Sequence, residues 1–179
     1  MPHIKVDPGL PGIIGLFEYR PETAKPLLEL TEVLLRGPST LTRGERELIA
    51  AVVSRGNECV FCASAHEAFA AAQLDGGEST AAQVADDFEN APISGKLKAL
   101  LRIAALTRKD GRSVDEASVE AAKAEGASEV EIHDTVLIAA AFSMFNRYVD
   151  GLATELPDSP AAYTERARQV AEYGYVGRG

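Results

Sequence analysis

Two cysteines, a histidine and a glutamate have the types and spacing to move thiol protons and electrons. They lie on one segment, from Glu47 through Cys59-Val60-Phe61-Cys62 to His66. Cys59 and Cys62 are three residues apart. A helix whose first turn starts near Cys59 therefore puts both sulfurs on one face, where a disulfide can form and break with little backbone motion. The unpaired N–H groups of such a helix end favour a thiolate. Cys62 and His66 are four residues apart, one above the other on a helix face. The imidazole can there accept the thiol proton or hold it for a leaving oxygen. Glu47 lies twelve residues before Cys59 on the preceding helix, and a short turn at Gly56-Asn57 makes the two helices antiparallel neighbours. A carboxylate facing His66 or the cysteines would fix the imidazole tautomer and stabilise its charged form. The set supplies a nucleophile, a base and an orienting acid.

Each residue taken singly has a plainer reading. A Cys-x-x-Cys pair fits redox work, zinc binding or inert packing. Zinc would draw on Cys59, Cys62 and His66, with a fourth ligand from His3, His133 or a carboxylate, none of which has local ligand spacing. Glu47 alone reads as a solvated helix carboxylate or a partner of Arg43, and His66 alone as a structural polar residue. The redox reading rests on the four together. Cys59 and Cys62 are the chain's only cysteines, too few for a secreted disulfide scaffold.

Helices must position these groups. The 179 residues are 46 % hydrophobic and 25 % charged, with no Trp and few β-branched runs, which favours a helical globular chain. Residues 1–21 hold seven Pro and Gly residues and read as an irregular arm, partly packed down by Ile13, Ile14, Leu16 and Phe17. Residues 22–179 read as a single domain. Leucines at helical spacing run from Pro26 to Leu35, stopped by Gly37-Pro38. Thr42 with Glu45, Ser113 with Glu116 and Ser128 with Glu131 have capping-box spacing, and Ser94 can cap a further helix. Helices are also expected from about Val60 to Leu74, Thr80 to Phe88 and Pro160 to Tyr173, and the Ser128 helix should run to about Val149. No period-two strand pattern stands out, so the expected fold is an all-α compact bundle with short loops.

The net charge of −9 makes nucleic acid and anionic membranes poor partners. The longest apolar run, Val136 to Phe142, falls well short of the ~20 residues of a membrane span. No basic start followed by an apolar run marks a signal peptide, so a cytoplasmic location is expected.

The pattern Glu-x11-Cys-x2-Cys-x3-His, with Thr42-Arg43-Gly44-Glu45-Arg46-Glu47-Leu48-Ile49-Ala50 before it, resembles the active-site signature of the alkylhydroperoxidase D-like proteins of the carboxymuconolactone decarboxylase superfamily. The segment from Ile138 to Arg147 looks like the long helix of the peroxidase-related branch, and the resemblance runs from about residue 20 to 155. It implies an all-α fold, a homo-oligomer and no cofactor or metal. It also implies that Cys62 attacks a hydroperoxide, that Cys59 resolves the sulfenic acid as a disulfide, that His66 and Glu47 relay protons, and that an external dithiol resets the pair. A disulfide is the other substrate class. Alkylhydroperoxidase D carries a histidine just before the second cysteine; here that position is Phe61. The resemblance also places Asn146 and Arg147 near the site, although both could mark a helix end reaching solvent.

The expected activity is that of a thiol-dependent peroxidase-like oxidoreductase. One alternative is a cofactor-free decarboxylase acting on a carboxylated lactone without need of a cysteine pair. Another is a non-enzymatic redox-sensing or structural oligomer. Phe61, Phe69, Phe142 and Phe145 hint at an apolar pocket mouth that would favour organic hydroperoxides over hydrogen peroxide.

Overall fold

Polar caps set the helix starts that matter most. Thr42 Oγ1 accepts from Glu45 N at 3.2 Å while Glu45 Oε2 accepts from Thr42 N at 2.8 Å. Ser128 and Glu131 repeat the reciprocal pair, and Ser94 accepts from Leu97 N. The computed structural model describes residues 1–177, which hold nine α-helices and no strand. They are α1 (Ile13–Tyr19), α2 (Pro21–Arg36), α3 (Arg43–Gly56), α4 (Val60–Ala71), α5 (Gly77–Asp87), α6 (Gly95–Lys109), α7 (Glu116–Ala124), α8 (Glu129–Gly151) and α9 (Ala161–Tyr173). The all-α expectation holds.

Three local expectations need correction. The arm is not irregular throughout, because α1 forms after Gly12, with Gly15 inside it, and buries Leu16 completely. Pro26 does not start its helix; α2 begins at Pro21, where a proline at the first position sacrifices no hydrogen bond. The α7 cap is Asp115, whose Oδ1 accepts from Ser118 N at 2.8 Å, and not Ser113. Ser113 is taken up by a 3-10 turn over Gly111–Ser113.

The core lies between α3, α6 and α8, where Leu48, Ile49, Leu100, Leu101, Ile103 and Ile138 have no more than 1 % exposure. On the other side of α3 lies α4, and α9 covers α4 through Ala167 and Val170 against Ala65 and Phe69. The α3–α4 turn is tight. Cys59 N donates to Ser54 O, Glu58 N donates to Arg55 O, and Glu58 takes a left-handed φ of 61°. This is a Schellman ending, and it delivers Cys59 directly to the N-cap of α4.

One buried carboxylate fixes α8 against the rest. Glu131 is 2 % exposed and accepts from Thr40 Oγ1, Lys96 Nζ and Ser128 N. Burial alone would push its carboxyl up, but these three bonds outweigh it and hold the pKa at about 2, against an ordinary 4.5. A carboxyl lowered on folding adds stability above its unfolded pKa and loses it as pH falls through the folded one. Glu131→Gln, which keeps the capping geometry, should cost on the order of 2 kcal/mol in urea unfolding at pH 7. That difference should shrink as pH drops from about 4.5 towards about 2, and a pH-independent difference would contradict this reading.

Candidate active site

The site is built where α3, α4 and the segment after α9 meet. Glu47 comes from the second turn of α3 and has no solvent exposure. His66, in the middle of α4, puts Nδ1 2.7 Å from Glu47 Oε2. With Glu47 ionised, Nδ1–H is the donor, which leaves Nε2 as the ring's other working atom. The second carboxylate oxygen, Oε1, accepts the Tyr175 hydroxyl at 2.7 Å. Burial first, then the charge of Glu47 and the bond to it, push the Tyr175 hydroxyl well above its usual pKa, so it stays a donor.

Tyr175 was not legible as a site residue. It lies 128 positions from Glu47 with no motif around it. It arrives because Gly174, at φ 79° and ψ −167°, turns the chain after α9 through a conformation open to glycine. Tyr175 N then donates to Glu32 Oε2 at 2.7 Å, which ties the turn to α2. The Tyr175 ring lies near-parallel to His66 with centroids 6.4 Å apart, and Phe142 meets His66 edge-on at 4.5 Å.

The two cysteines are reduced and buried, yet not equivalent. Cys59 is the N-cap and is fully enclosed; Cys62 sits in the first turn of α4. The hydrogen bond from the Cys59 thiol holds Cys62 below the ordinary thiol range, helped by the Asn146 amide and opposed by burial and by Asp150. The same bond, with burial, pushes Cys59 up. Asn146, 1 % exposed, also donates to Ser54 Oγ at 2.9 Å and accepts from Asn57 Nδ2 at 2.8 Å, so it is held from three sides. Arg147 is different. It is exposed and bonds only back to Ser143 O on its own helix, among the described residues.

Cys62 and His66 both open onto one cavity of about 850 Å³; Cys59 and Glu47 do not line it. Phe61, Phe69, Phe142 and Phe145 are all in its wall, as the aromatic pattern had hinted. Phe61 is packed close against Gly12, where a Cβ would collide with the ring, and it tilts on Tyr163 at 5.9 Å. It gives the position between the cysteines an apolar wall with no proton to exchange. Among the described residues no three His, Cys, Asp or Glu side chains converge to hold a metal, and His133 stands exposed beside Asp134. No helix among them is long and apolar enough to cross a membrane.

Since the thiolate is the reactive form, alkylation should speed up with pH through the Cys62 pKa. Iodoacetamide labelling of reduced protein, mapped by peptide mass, should give a midpoint for Cys62 below the ordinary 9.0 while Cys59 lags. Asn146→Leu should move that midpoint up, because the amide that favours the thiolate is gone. Equal labelling of both thiols would contradict the assignment.

Residues 21–81, which include Glu47, both cysteines and His66, match the carboxymuconolactone decarboxylase family. No functionally curated protein matches the chain significantly. The chain is similar to a crystal structure described as the alkylhydroperoxidase AhpD core of an uncharacterised peroxidase-related protein from Ralstonia eutropha JMP134, at 26 % identity and TM-score 0.78, covering 88 % of this chain and 81 % of that one. It is also similar to an uncharacterised peroxidase-related protein from Silicibacter sp. TM1040, at 27 % identity and TM-score 0.76, covering 86 % and 78 %. Over residues 21–81 the chain is thus similar to the carboxymuconolactone decarboxylase family, and over most of its length its fold is similar to those of two uncharacterised peroxidase-related proteins.

Proposed function

We propose that the protein is a thiol-dependent peroxidase that reduces organic hydroperoxides with the Cys59–Cys62 pair. The observation that carries the proposal is the asymmetry of that pair. The lower-pKa thiol, Cys62, lines an apolar cavity beside His66, and Cys59 is hydrogen-bonded to it from the enclosed side.

His66 Nε2 takes the Cys62 proton, and the resulting imidazolium is stabilised by Glu47 through Nδ1–H. The thiolate attacks the outer peroxide oxygen. An S–O bond forms, the O–O bond breaks, and the alkoxide leaves with the Nε2 proton as an alcohol. Cys62 is now a sulfenic acid. Cys59 sulfur attacks Cys62 sulfur, expelling hydroxide that takes the Cys59 proton to leave as water. The disulfide is reduced by an external dithiol, which becomes a disulfide itself. Relay of dithiol–disulfide equivalents is the second half of this cycle run on a disulfide substrate. The decarboxylase alternative gives Cys59 and Cys62 no part and is not favoured.

A reducing compartment suits this chemistry. Self-association is supported by exposed Val130, Leu137 and Met144, at 65 %, 39 % and 45 %, which recur every seventh residue along α8.

Steady-state consumption of cumene hydroperoxide with excess dithiothreitol tests the assignment. Cys62→Ser should fall to background, and His66→Gln should lose about a hundredfold or more. In the absence of dithiothreitol, Cys59→Ser should consume about one equivalent and leave a sulfenic acid on Cys62 that dimedone traps. Turnover in Cys62→Ser equal to wild type would exclude the proposal.

A further inference from the structure

Arg166 has a position in the cavity that thiol chemistry alone does not use. It lies on α9, one turn beyond Tyr163, is half-buried, and contributes to the wall. Among the described residues its guanidinium has one hydrogen bond, to Gln169 Oε1 at 3.2 Å, and no carboxylate within ion-pair distance. Among the described residues, most of the five N–H donors on its rigid fork are thus open to a ligand in the cavity. The other charged wall residues are spent or lie at the rim. Lys25 stands 4.0 Å from Glu29, and Glu18, Lys25 and Glu29 are all exposed. Glu47 lies behind the wall and is held by His66 and Tyr175. Arg166 shares the cavity wall with Tyr175 and His66.

Size points the same way. About 850 Å³ is near the upper end of the usual range for ligand pockets and far more than a small peroxide needs. Ile13, Ile14, Phe17 and Leu28 extend the apolar wall along α1 and α2, and Ile13 packs against the Cys59, Phe61 and Cys62 cluster, so the wall reaches the thiol.

We infer that the cavity binds an amphipathic carboxylic acid, its carboxylate on the Arg166 fork and its hydrocarbon chain along the α1–α2 wall. Resting on the peroxidase reading, this makes the preferred substrate a hydroperoxide of a long-chain carboxylic acid and its product the corresponding hydroxy acid. A half-buried guanidinium facing apolar walls gains a bidentate, charge-assisted partner, and water is displaced from the hydrocarbon surface. The chain's net charge of −9 repels anions at a distance, so the preference arises at the contact and not by steering.

Two measurements on the whole protein separate the subsite from the peroxidase chemistry. The first is calorimetric binding of decanoate and decanol, neither a peroxide, to reduced wild type and to Arg166→Gln. Decanoate should bind wild type roughly ten- to a hundredfold more tightly than decanol, and Arg166→Gln should bind the two about equally. Arg166→Lys, a charge without the fork, should fall between. The second is kcat/KM for linoleic acid hydroperoxide against its methyl ester, where the acid should be preferred through KM in wild type only. Equal binding of decanoate and decanol by wild type, or a preference that persists in Arg166→Gln, would overturn the inference. Arg166-dependent decanoate binding without turnover of any hydroperoxide would leave the subsite standing and remove the peroxidase reading. Turnover with no acid preference would do the reverse.

Discussion

A carboxylate with no solvent exposure is costly unless each oxygen is met, and the site depends on how Glu47 is met. His66 Nδ1 takes one oxygen and the Tyr175 hydroxyl the other, both at 2.7 Å. These two bonds join the neighbouring helices α3 and α4 to the chain after α9, which is distant in sequence. Removing one partner of a buried pair of this kind typically costs about 3–5 kcal/mol, so the arrangement is held as a unit. It fixes the tautomer and ring orientation of His66, and so decides which nitrogen faces the cavity. Much of the surrounding structure serves that placement. The Thr42–Glu45 box sets where α3 starts and hence which way Glu47 points, and Gly174 turns Tyr175 inward.

The cysteine pair follows from the same geometry by another route. The Schellman ending of α3 makes Cys59 the last residue before α4, so Cys62 falls in the first helical turn, where backbone N–H groups are unpaired. Asn146 reaches across from α8 to the Cys62 sulfur and is steadied by Ser54 and Asn57. The result is one thiol disposed to ionise at a cavity wall and one held protonated behind it. Phe61, packed against Gly12, walls the cavity next to them, which lowers its polarity where a histidine at that position would raise it.

What could be read in the sequence was what is decided locally. Thr42, Ser94 and Ser128 cap as their spacing requires because a cap involves four consecutive residues. Ser113 failed by the same logic, since Asp115 competes two residues later and is as good a cap. Helix α1 was hidden because it is stabilised by burying Leu16 in the fold, which a Pro- and Gly-rich arm does not advertise. Within the site, Glu47 and His66 were legible because a short turn makes their helices neighbours. Asn146 stood out as a polar residue in an apolar stretch, and it is buried at the thiol; Arg147, next to it, faces solvent. Tyr175 and Arg166 carried no local signal. Each acquires its place only through the packing of α9 and the turn beyond it.

The central claim is that Cys59 and Cys62 act together on a hydroperoxide within one chain. It is tested most directly by titrating the free thiols of reduced protein with cumene hydroperoxide and mapping the product by non-reducing peptide mass analysis. The account predicts that one equivalent removes both thiols and yields a Cys59–Cys62 bridge that dithiothreitol reverses. Two thiols that persist under excess peroxide, or oxidation that stops on Cys62 with Cys59 still free in the wild-type protein, would contradict it.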